Sequence, residues 1–169
     1  IELEGRTRAI DRAQAVVEFD LKGNVLDANA NFLALMGYSL DQVRGRHHRI
    51  FCDPAHVQSE AYAAFWEKLA RGECDTGEYR RINSRGQDVW ISASYNPVFD
   101  LNGKPIKDIK YALDVTDQQC LANDFRSRIE AISKSQAVIE FDLDGKVITA
   151  NDNFLRITGY SLREIKGQH

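Results

Sequence analysis

Three histidines and two tryptophans carry most of the chemistry this sequence could perform. His47 and His48 stand side by side in "RGRHHR", and His56 follows in "DPAHVQSE". An imidazole can hold a metal or haem iron, pass a proton, or bond an anionic edge. As surface loop residues the same three would do none of this. Trp66 falls with Tyr62, Phe65 and Leu69 at i, i+3, i+4 and i+7, on the apolar face of a helix expected from Ser59 to Arg71 and stopped by Gly72. Its ring can fill a core or line a ligand pocket, since such pockets are mostly apolar with a few placed polar groups. Trp90 sits in "DVWIS", where alternation with Val89 and Ile91 leaves its facing open. Cys52, Cys74 and Cys120 form no CxxC and no metal-ligand spacing, which fits a reducing cytoplasm better than a disulfide framework.

Other chemistries find no support. No GxSxG, HExxH, P-loop or paired-Cys zinc signature occurs, and no local spacing picks out a triad, so catalysis by these residues is not expected. The 169 residues carry a net charge of −3, and no basic run suggests a nucleic-acid footprint. No apolar stretch approaches the roughly 20 residues that span a bilayer. The chain begins at Ile1 without a signal peptide and reads as a fragment of something longer.

The elements that must position these residues come with a repeat. Gln14 to His47 aligns without a gap on Gln136 to His169, and more than half of the aligned positions are identical. Each copy follows a helix-like segment, Arg6 to Ala13 and Gln118 to Ser135. Within the first copy Ala15 to Asp20 reads as a strand, "LKGN" as a turn and Val25 to Ala28 as the returning strand. Asn29 caps a short helix that Gly37 ends, and Ser39 caps another turn. Then "GEYRRI" and "DVWISASYNPVF" flank the hairpin loop "NSRGQ", and "IKDIKYALDVT" is a last strand. The order is two strands, several short helices and three longer strands, an α+β domain.

Those motifs in that order resemble the PAS sensory domain. The residues that carry the likeness are "FDLKGNVLDANANFLALMGYSLDQVRGR", then "FWEKLARGE", then "GEYRRINSRGQDVWISASYNPVFDLNGKPIKDIKYALDVT". Cytoplasmic PAS domains of bacterial chemoreceptors, of the aerotaxis and biofilm-dispersal types, are similar. The resemblance implies a five-stranded antiparallel sheet in the order 2-1-5-4-3, with short helices enclosing a pocket on one face. It divides the chain into an N-terminal helix (1–14), a PAS domain (15–116), a linker helix (117–136) and the opening of a second PAS domain (137–169).

The resemblance also implies roles. Trp66, in the aerotaxis-like "FWEKLARGE", would line a flavin (FAD) pocket for redox or oxygen sensing, with His47 and His48 at its mouth. Asn31, Trp90, Tyr95 and Asn96 are further candidate pocket residues, while Asn29 is expected to cap. In a haem-based gas sensor, His47, His48 or His56 would ligate haem b non-covalently. In a third reading the module holds no cofactor and serves dimerisation and relay. Asp114 and Thr116, in the closing "DVT", would couple the sheet to the linker helix, unless they merely cap it. That helix carries Leu121, Phe125, Ile129 and Ile132 on one stripe, which suits a homodimer upstream of an output domain outside this chain. No nucleic-acid or membrane partner is expected.

Overall fold

The computed structural model describes residues 9–169. They divide into two compact units, the first ending at Asp117 and the second running from Gln118 to His169. Residues 9–13 are helical; the rest of the expected N-terminal helix, residues 1–8, lies outside the described residues.

In the first unit β1 (Ala15–Phe19) and β2 (Val25–Ala28) form a hairpin. Its turn is closed by Asp20, whose Oδ1 accepts from the Lys22 and Asn24 amides at 2.9 and 2.8 Å. The helices α1 (Ala30–Met36) and α2 (Leu40–Val43) follow. Gly37 ends α1 in the left-handed region, at φ 71°. Ser39 and Gln42 form a reciprocal capping box on α2. A 3-10 turn (His48–Phe51), α3 (Pro54–Val57) and α4 (Glu60–Ala70) complete the helical layer. Ser59 caps α4, which buries Tyr62, Trp66 and Leu69, the stripe its sequence spacing predicts.

The long strands β3 (Asp75–Ile82), β4 (Asp88–Phe99) and β5 (Pro105–Asp114) join the hairpin in one antiparallel sheet. The order is β2-β1-β5-β4-β3, as the resemblance implies. β5 is central, with Phe19 opposite Asp108 on one side and Tyr95 opposite Lys110 on the other. The core lies between the helices and one sheet face, around Val17, Phe19, Phe32, Phe51, Leu69, Ile91 and Tyr95.

The second unit holds α5 (Thr116–Ser135, which starts in the first unit), β6 (Ile139–Phe141), β7 (Val147–Ala150), α6 (Asp152–Thr158) and α7 (Leu162–Ile165). Among the described residues no helix is long and apolar enough to cross a membrane.

One local device appears in both units. Asn29 Oδ1 accepts from the Val16 and Phe32 amides, both at 2.9 Å, while its Nδ2 donates to the Asp11 and Gln14 carbonyls at 3.0 and 2.9 Å. One side chain thus caps α1, holds β1 and ties down the end of the preceding helical turn. Asn31 Nδ2 also donates to the Asp11 carbonyl, at 2.9 Å. Asn31 is therefore exposed at the helix end and is not a pocket residue. The repeat does the same: Asn151 serves Val138, Phe154, Ser133 and Gln136, and Asn153 the Lys134 carbonyl. Replacing Asn29 by Ala removes a helix cap and three further bonds. We expect Asn29→Ala to cost about 2 kcal/mol in urea unfolding and Asn31→Ala less than half of that.

Candidate functional site

The centre of the first unit is polar. Residues 45–48 are held against the hairpin by backbone bonds: the Val25 amide to the Arg46 carbonyl (2.8 Å), the Gly45 amide to the Val25 carbonyl (2.8 Å), and the His48 amide to the Gly23 carbonyl (2.7 Å). Gly23 has φ +85°, and a Cβ there would lie 2.9 Å from both His47 and Trp66, so only glycine suits the position. This anchoring turns His48 inward, where it is fully buried.

His48 Nδ1 lies 3.0 Å from the Tyr62 hydroxyl and Nε2 3.1 Å from that of Tyr95. Arg81 Nη2 donates to the same Tyr95 oxygen at 3.2 Å. Burial first, and then the positive charges of Arg81 and Lys110, push the His48 pKa well below its ordinary value. The ring is therefore neutral, with one donor and one acceptor nitrogen. One ring nitrogen therefore donates to its tyrosine and the other accepts from its tyrosine, the tautomer setting which. Burial raises both tyrosines to about 12, so both keep their protons. The result is a continuous chain of hydrogen bonds from β3 through β4 to the 3-10 turn and α4.

The remaining candidates fall elsewhere. His47 is half-buried, with Nδ1 accepting from the Arg49 amide at 3.1 Å. His56 is exposed on α3, edge-on to Tyr62. Trp90 and Asn96 take the strand parity opposite to buried Val89, Ile91 and Tyr95, so they sit on the outer sheet face and line no pocket. Asn96 donates to Ser94 there, at 3.0 Å. Asp114 and Thr116 lie at the junction of β5 and α5: Thr116 Oγ1 accepts from the Trp90 amide (3.0 Å) and donates to Asp114 Oδ1 (2.6 Å). Arg81, Lys110 and Asp108, all buried, were not singled out by the sequence motifs.

Residues 25–112 match the family model described as "PAS fold", and residues 135–169 a second, described as "PAS domain". The chain belongs to the PAS family. It is 48% identical over 157 residues to the biofilm dispersion protein BdlA of Pseudomonas aeruginosa, covering 93% of this chain and 38% of that one. A blue-light-activated histidine kinase of Brucella canis is 29% identical over 170 residues, covering 92% of this chain and 34% of the kinase. The crystal structure of a PAS domain from Colwellia psychrerythraea superposes with a TM-score of 0.58 at 28% identity, covering 69% of this chain and 99% of that one. The chain thus spans little more than a third of these curated relatives' length. It is a PAS signal-sensing module, with a second PAS match in tandem.

The PAS interior can be tested against the cofactors the family suggests. Trp66 meets Phe19 at 5.6 Å and His48 at 5.4 Å between ring centroids, and Phe65 meets Tyr95 at 4.8 Å. These are direct ring-on-ring distances, so no isoalloxazine plane lies between the rings nominated to hold it. Trp66 here is a core residue. A haem fares no better. Both nitrogens of His48 are engaged by tyrosines, His47 is spent on a backbone turn, and His56 faces outward. Neither group fits this arrangement of side chains.

Among the described residues, the buried polar atoms without a partner are Trp66 Nε1, Arg81 Nε and both carboxyl oxygens of Asp108. Asp108 is fully buried, and no protein group donates to either carboxyl oxygen. Desolvation pushes its pKa from 3.8 up to about 6. The folded protein therefore holds this proton more tightly than the unfolded chain, and stability falls as pH rises from about 4 to about 6. Above that window the full penalty is present. Two pKa units correspond to up to about 3 kcal/mol. Asp108→Asn is expected to match the parent below pH 4 and to unfold at higher denaturant above pH 6. Denaturation midpoints across that range measure it.

Proposed function

We propose that this chain is the sensing and relay segment of a cytoplasmic, chemoreceptor-like signal transducer. In this reading the first PAS domain responds to a small ligand, and the response passes through β4 and β5 to α5. The segment binds and relays, performs no catalysis, and drives output domains elsewhere in a longer protein. The identity to BdlA supports the class of transducer. The observation that carries the relay is the junction at Thr116. Its hydroxyl bridges the Trp90 amide on β4 and the Asp114 carboxylate at the end of β5. A shift of either strand is thereby delivered to the first residue of α5. On that helix Leu121 and Phe125 are 70% and 68% exposed, and a second copy of the chain would cover them as a homodimer.

The test uses a chimera in which this chain replaces the matching segment of BdlA. We expect the chimera to support biofilm dispersal and Thr116→Val to abolish the response while the protein accumulates normally. A Thr116→Val chimera that responds like its parent would end the relay reading.

A flavin-based redox reading has separate support, in the aerotaxis-like "FWEKLARGE" and in the blue-light-activated relative. It requires the Phe19, His48 and Trp66 rings to part. From the packing described above, the chain purified and then mixed with FAD is expected to show no retained flavin absorption after desalting. A retained band that Trp66→Phe removes would favour the flavin reading instead.

A further inference from the structure

Arg81 and Lys110 are 4% and 1% exposed, and among the described residues neither is ion-paired with a carboxylate. Arg81 spends one N–H on the Arg80 carbonyl (2.8 Å) and one on Tyr95. Its Nε is buried with no acceptor. A guanidinium has five N–H donors in a planar fork, so most of its capacity is unused. Lys110 Nζ lies on the other side of Tyr95, 4.9 Å from the ring centroid. Buried charges are ordinarily paired; among the described residues the Arg81 guanidinium, which lies over the Tyr79 ring, has no counter-ion.

Arg81 is reached from outside. A pocket of about 330 Å³ opens between α4 and β3, with Arg81 in its wall beside Tyr62, Phe65, Ala64 and Tyr79. The carboxylate in the same wall, Asp75, is already committed to Lys68 Nζ at 2.6 Å and the Tyr79 hydroxyl at 2.5 Å. It leaves Arg81 unneutralised. The walls are largely aromatic and aliphatic, which favours an organic body over a hydrated inorganic ion.

We propose that this pocket binds a small organic carboxylate, with Arg81 as its bidentate anchor. A carboxylate matches the guanidinium fork in geometry and supplies the missing charge. It also touches the hydrogen-bond chain at its Arg81 end, from which Tyr95 and His48 lead to the 3-10 turn and α4. Burial and the neighbouring Arg81 hold Lys110 well below the usual lysine range, and an anion beside Arg81 offsets that repulsion. The proposal rests on the reading of the first PAS domain as the sensory one.

The experiment titrates the 169-residue chain with benzoate, butyrate and inorganic phosphate at constant ionic strength, following calorimetric heat and thermal unfolding. Saturable binding of benzoate or butyrate, accompanied by a rise in unfolding temperature, is expected. Arg81→Gln should weaken it by about tenfold or more. Because Arg81→Gln also disturbs the bond to Tyr95, Ala64→Trp serves as a second variant. Ala64 is exposed on α4, so the indole should block the pocket and abolish binding while the apo protein unfolds as before. No saturable binding to either carboxylate, equal binding by phosphate, or unchanged affinity in both variants would overturn the assignment. Amide exchange at the start of α5 separates the two readings: carboxylate binding that leaves it unaltered sustains the site and counts against the relay alone.

Discussion

β5 sets the terms for the rest of the first domain. It is the central strand, hydrogen-bonded to β1 and β4 along both edges, so it can neither slip nor rotate without breaking two ladders. Its side chains alternate strictly between faces. With Ala112 packed against Ala93 across the sheet, Lys110 and Asp108 must also face the helices. Both are buried as a result, one beneath an aromatic centre and one with no donor. The sheet's register accounts for two buried charges that hydrophobicity alone would have turned outward. Their energetic cost is borne by the surrounding core, which is well packed on β1, α1 and α4.

The strand's composition explains why this was hidden in the sequence. In "PIKDIKYALD" the apolar residues Ile106, Ile109, Tyr111 and Leu113 lie mostly on one parity, and a half-buried strand normally turns that parity inward. Here Leu113 on the apolar parity is exposed and Ile109 and Tyr111 are only half-buried, while Asp108 and Lys110 on the other parity are buried. The lesson extends to Trp90 and Asn96, whose facing depends on the same register. By contrast, everything set within a few residues was legible. The Asn29 cap, the Gly37 stop, the Ser39 box and the α4 stripe each need only a short window of sequence. The strand order was legible too, but through family resemblance rather than through pattern.

His48 marks the boundary between the two kinds of information. Its position beside the hairpin follows from local backbone bonds. Its chemistry does not, because its partners Tyr62 and Tyr95 stand 14 and 47 residues away. Reading "HH" as a cofactor ligand was reasonable for a free imidazole. Two tyrosine hydroxyls convert the same ring into the middle of a hydrogen-bond chain. The adjacent His47 differs only in facing the turn, which shows how little the residue type alone determines.

The internal repeat separates local from long-range determinants within one molecule. Phe19 is completely buried in the first unit, whereas its counterpart Phe141 is 53% exposed in the second. Yet the hairpin, the asparagine clamp and the capping box form alike in both. Secondary structure here is therefore specified by the repeated segment itself, while burial depends on β3, β4 and β5. That division has a mechanical consequence. The asparagine clamp fixes the end of whichever helix precedes the repeated segment, in one unit residues 9–13 and in the other α5. The start of α5 is held instead by Thr116, on strands that also carry Tyr95 and Lys110. The first end of α5 is thus tied to strands that line a polar core, and the last end is held by a device that works without one. In the relay proposed above, a change at Arg81 and its neighbours would enter α5 through Thr116.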